Sequence, residues 1–213
     1  MRKDSAKNSL FSLLSLLFPV LLGLIFIPHF IHDFGKERFS FLSLVWALFG
    51  YFSFLDLGIG RTLTKIIAHE KAKIQSEPSF SFIVSAQYII FAVSFLFSGI
   101  VFFSAESIVY RFLQISLEHQ TEFISSIRIV AFGIPFVTMT SLNRSILEGF
   151  NDFASANILQ ILAGVFLFVT PYLGWTFQPT MLSICIAIVL SRTIVYALRS
   201  EERRVGKECR SRW

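Results

Sequence analysis

The chain has 213 residues, of which 54% are hydrophobic and 15% charged, with 26 Phe and a formal net charge of +5. A soluble globular domain carries about a quarter charged residues, so this chain has too little polar surface to cover itself in water. Its length instead suits about six membrane spans of roughly 20 residues each with short loops.

The first predicted span covers residues 10–31, free of Asp, Glu, Lys and Arg, with Pro19 and Pro28 inside it. Arg2, Lys3 and Lys7 precede it as in a signal peptide, but the apolar run is too long for one and no small-residue cleavage site follows. The second span, 39–59, ends in D-L-G-I-G-R. Residues 61–78 then read as a basic helix at the inner surface, where Lys and Arg meet anionic lipid. The third span covers 79–105. After it, I-V-Y-R-F-L-Q-I could lie as a short interfacial helix within 106–122. The fourth span, 123–147, is broken by Gly133 and Pro135 and carries Arg128 near its start. The uncharged stretch 153–191 is too long for one span, and Pro171–Pro179 is the expected turn, giving spans 154–172 and 179–198.

Basic residues favour a cytoplasmic N-terminus, with eight in the inner segments against three in the outer ones. The expected architecture is therefore an all-α, polytopic membrane bundle of six transmembrane helices with both ends cytoplasmic. Beyond it the composition changes at Arg199, where R-S-E-E-R-R-V-G-K-E-C-R-S-R-W resembles the in-frame translation of a short-read sequencing adapter. We set 199–213 aside as an artefactual tail and expect the natural protein to continue past Leu198. Removing its six basic and three acidic residues takes the net charge from +5 to +2, which gives no support to a nucleic-acid partner.

No Walker A, H-E-x-x-H or G-x-S-x-G pattern is present and no metal-ligand spacing stands out, so neither an enzyme, a metal nor a cofactor is expected. His29 and His32 read as interfacial residues rather than ligands. Cys185 reads as a small residue in an apolar run. Ionisable residues inside spans carry more weight, because they are costly in lipid. Asp56 reads either as a helix-end cap or partner to Arg61, or as a charge at a cavity mouth. Arg128 reads as a cation snorkelling to the outer interface, with an inward role toward an anionic substrate as the alternative. Arg192 reads as snorkelling at the inner end. Arg144 and Glu148, four apart, read as an ion pair on one helix face. The candidate cavity or substrate residues are thus Asp56, Arg61, Arg128 and Arg144.

Three stretches carry a family resemblance: D-L-G-I-G-R-T-L-T-K at 56–65, F-G-K-E-R-F-S-F-L-S-L at 34–44, and L-N-R-S-I-L-E-G-F-N-D-F-A-S-A-N at 142–157. In order and position they resemble the oligosaccharide flippases, or polysaccharide biosynthesis proteins, of the multidrug/oligosaccharidyl-lipid/polysaccharide exporter superfamily. The resemblance covers residues 8–198. It implies two six-helix lobes around a cavity open alternately to each side, with this chain as the N-terminal lobe and a C-terminal lobe missing. It also implies a polyprenyl-diphosphate-linked oligosaccharide as the partner, moved across the cytoplasmic membrane with membrane lipids holding its tail. The sugar-diphosphate head needs a cation-lined path, and the six spans hold few cations; the missing half would then supply others. A drug/cation antiporter of the same superfamily is the nearest rival, and a membrane-bound glycan polymerase a more distant one.

Overall fold

The computed structural model describes residues 2–53, 58–72, 80–113 and 119–210, and among these the regular elements are all helical. They are α1 (Arg2–Ser53), α2 (Ile59–Ala72), α3 (Phe80–Ser107) with a π-helical continuation Ile108–Leu113, α4 (Gln120–Gly149), α5 (Phe153–Phe177) and α6 (Met181–Arg210).

The first element is two membrane spans. At Gly35 the backbone turns to φ 79°, ψ 164°, a region essentially closed to residues with a Cβ. A straight helix would hold Phe30 and Trp46 about 24 Å apart at 1.5 Å per residue, yet their ring centroids lie 6.0 Å apart. The chain therefore reverses at Gly35 into a first arm (2–34) and a second arm (36–53). With α3, α4, α5 and α6 these make six spans. The helix α2 is the exception. It is short and amphipathic, burying Leu63 and Ile67 while exposing Arg61, Lys65, His69 and Lys71.

The apolar exterior is what lipid requires. Leu17, Val20, Leu21, Leu24 and Ile25 of the first arm, and Tyr88, Phe95, Ile100 and Phe103 of α3, are all exposed. Inside, α4 is the most enclosed span, touching every other helix. Phe41 of the second arm stacks on its Phe123, with centroids 4.4 Å apart. A second core at the far end joins Leu63 and Ile67 of α2, Ile83, Ala86 and Ile90 of α3, and Met139, Leu142 and Ile146 of α4.

Lipid tails are as apolar as Leu, so helices in a bilayer associate through close packing and interhelical hydrogen bonds rather than through hydrophobic drive. Two glycines show the packing. A Cβ at Gly164 of α5 would overlap the Pro19 ring, and one at Gly174 would lie 2.8 Å from the Ile184 backbone of α6. The hydrogen bonding follows from Pro135, whose missing N–H frees the carbonyl of Ala131. Ser98 of α3 donates to that carbonyl at 2.7 Å.

Two local expectations change. The chain turns at residues 178–180, because α5 continues through Pro171 to Phe177 and uses Gly174 as its contact with α6. Ile108–Leu113 is not a separate interfacial helix; it continues α3 as a π-turn, with Val109 buried.

Candidate functional site

The two ends of the bundle hold different chemistry. At the α2 end, two of the stretches that carry the resemblance, 56–65 and 142–157, meet. Thr64 donates to the carbonyl of Ser145 at 2.7 Å. Gly149 lets Ile67 approach so closely that a Cβ would sit 3.0 Å from it. Lys71 donates to the carbonyl of Phe150 at 2.7 Å, placing a cation where the α4 C-terminus leaves carbonyls unpaired. Asp152 then caps α5 by accepting from the N–H of Ser155 at 3.2 Å. Together these contacts fix α2 across the foot of α4.

Of the four candidate residues, the three that are described do not converge. Asp56 lies outside the described residues. Arg61 is exposed near the start of α2. Arg144 is paired with Glu148 at 2.9 Å on α4. Arg128 reaches Glu106 of α3 at 2.8 Å and lies over the Phe102 ring, 5.6 Å from its centroid. Sixteen residues of α4 separate Arg128 from Arg144, about 24 Å, so these two cations serve opposite ends.

Two groups outside those four sit at contacts between helices: Glu122, which sequence reasoning did not single out, and Arg192, which it read as snorkelling. The first is Glu122, at the Gly35 end. One carboxylate oxygen accepts from the backbone N–H of Met181, the first residue of α6. The other lies 3.8 Å from Arg38 of the second arm and 3.7 Å from His119. A carboxylate suits a helix N-terminus, where N–H groups lack intrahelical partners. Arg38 also lies over Trp175 of α5, 5.4 Å from the ring centroid, so Glu122 and Arg38 together tie four spans. Glu122 could have been suspected from its place in the first turn of a span. Its partners could not.

The second group is Arg192 of α6. It shares a helix face with Met181, Cys185 and Ile188, all fully buried or nearly so, so it points into the bundle rather than out along it. Its guanidinium lies over Phe49 of the second arm, 5.7 Å from the ring centroid. Its Nε is buried without a hydrogen-bond partner. The snorkelling expected for it is therefore replaced by an inward orientation.

Comparison with known proteins agrees with this architecture. The family described as "Polysaccharide biosynthesis protein" matches residues 5–200. A Shigella flexneri protein described as "Putative O-antigen transporter" is 23% identical over 194 residues, covering 88% of this chain and 44% of that protein. The crystal structure of MATE in complex with MaD3S aligns with a TM-score of 0.76 at 16% identity, over 91% of this chain and 43% of that one. The chain thus spans less than half the length of both, and the structural likeness speaks for the fold alone. With the family match covering nearly all of its length, the chain belongs to the polysaccharide biosynthesis protein family.

Proposed function

We propose that this chain is the N-terminal lobe of a transporter that moves a polyprenyl-diphosphate-linked oligosaccharide across the cytoplasmic membrane for cell-surface polysaccharide synthesis. The observation that carries the reading is the family match over residues 5–200. The bundle supports it physically, because its apolar exterior can sit in lipid while inward-facing polar groups such as Arg192 accompany a polar head. In this reading the α2 end is cytoplasmic, Asp56 and Arg61 stand at the cytoplasmic mouth, and the ion pairs of Arg144 and Arg128 belong to the inner and outer ends. The second lobe lies in the part of the relatives' length that this chain does not span.

The antiporter reading keeps a foothold in the MATE-like fold. It calls for a carboxylate inside the bundle free to carry a coupling ion. Among the described residues, Glu106, Glu122 and Glu148 each face a cation near an end of the bundle, which favours the flippase; Asp56, the carboxylate the antiporter would use, lies outside them.

The test uses a strain lacking its own lipid-linked oligosaccharide flippase. The full-length gene should restore surface glycan, whereas the 213-residue chain alone should not, because alternating access needs both repeats. Full-length protein that exports cationic drugs but leaves surface glycan absent would reverse the assignment.

A further inference from the structure

We propose that the exposed face of α2 is a binding surface for anionic phospholipid headgroups, formed by Arg61, Lys65 and His69 with Lys71 beside them. It takes from the transport reading only which leaflet is cytoplasmic, and it does not depend on which substrate is moved.

The depth of α2 follows from the helix it rests on. α4 has 30 residues, about 45 Å of helix at 1.5 Å per residue, which matches a bilayer with its headgroup layers rather than the hydrocarbon alone. Its last turn therefore lies among lipid phosphates. α2 is fastened there: Thr64 donates to the Ser145 carbonyl and Lys71 to that of Phe150, both at 2.7 Å, while Ile67 packs on Gly149. Leu63 and Ile67 are buried, so one face is fixed against the bundle and the opposite face is held outward.

That outward face suits anions. Arg61, Lys65 and His69 are exposed and lie four residues apart, so they form one stripe about 12 Å long. Lys71 is exposed at its end and keeps N–H donors beyond the one given to Phe150. The single carboxylate of α2, Glu70, is half-buried. It stands two and a half turns from Arg61, on the other side of the helix. Ile66, half-buried, flanks Lys65, and a basic face with an apolar flank sits at the boundary of headgroups and acyl chains. Each Lys or Arg near an anionic membrane surface strengthens attachment about fivefold. A soluble anion would meet an open, wet stripe with nothing to enclose it. Headgroups are instead held beside the stripe at high effective concentration, which makes lipid the occupant.

The test titrates the 213-residue chain in neutral detergent with phosphatidylglycerol and counts bound lipid by native mass spectrometry, with phosphatidylcholine as the net-neutral reference. Phosphatidylglycerol should bind about twentyfold more tightly or better. Arg61→Gln and Lys65→Gln should each lose about fivefold, and together most of the preference. Lys36→Gln, at an exposed lysine of the Gly35 end, should leave it unchanged. Thermal unfolding identifies the variants that still fold, and Lys65→Gln alone gives the readout should the pair not fold. Equal affinity for the two lipids, or an undiminished preference in a folded double variant, would overturn the surface. Displacement of phosphatidylglycerol by equimolar inorganic diphosphate would overturn lipid as the occupant. None of these results bears on the transported substrate class, which glycan restoration judges separately.

Discussion

The bond from Ser98 to the carbonyl of Ala131 offers a quantitative test of how this bundle is held together. Interhelical hydrogen bonds in membrane proteins contribute on average about 0.6 kcal/mol and at most about 1.7, because the separated helices find other partners. The Ala131 carbonyl is a special case. Its usual partner, the N–H four residues on, is absent because residue 135 is proline, and Ser98 supplies the replacement from α3 at 2.7 Å. Removing Ser98 leaves a buried acceptor with no intrahelical alternative, so Ser98→Ala should cost about 1.5 kcal/mol, near the top of that range. Pro135→Ala restores the N–H, and in that background Ser98→Ala should cost only a few tenths. The expected coupling is about 1 kcal/mol. A detergent unfolding titration of the four proteins, followed by tryptophan fluorescence, measures it directly. Equal costs of Ser98→Ala in both backgrounds would refute the idea that the serine compensates for the proline.

The glycines make a paired prediction. Gly174→Ala places a Cβ against the backbone of Ser183 and Ile184, which cannot yield as a side chain can, and should destabilise by about 1–3 kcal/mol. Gly99→Ala meets nothing within 4 Å and should be neutral or stabilise by up to about 1 kcal/mol through helix propensity; melting temperatures of opposite sign relative to the parent are the expected result. At the Gly35 end, Glu122→Gln should cost about 1–2 kcal/mol, since it removes the charge facing Arg38 and the α6 N-terminus. Glu106→Gln should cost less than about 1 kcal/mol, because the Arg128–Glu106 pair is largely exposed. Detergent unfolding of the two variants gives their order, and a larger loss at Glu106 would contradict the central role assigned to Glu122.

The location of the spans was legible in the chain because hydropathy is a property read along the sequence. Twenty apolar residues must cross a membrane or be buried, and six such stretches sort themselves from the basic segment that became α2. The stretches at 56–65 and 142–157 likewise pointed to the family from residue order alone. What the chain could not disclose was direction around each helix axis. In a soluble protein, the polar face marks the outside. Here lipid and bundle interior are equally apolar, so exposed Phe103 and buried Phe123 are indistinguishable by composition. Partner choice was hidden for the same reason. Arg128 finds Glu106, Glu122 finds Arg38 and Met181, and Thr64 finds Ser145 only because α4 lies at the centre of the others. Arg192 shows the difference most clearly. As a letter near the end of an apolar run it reads as a snorkelling cation, and only the packing of α6 against α4 and α5 turns it inward over Phe49.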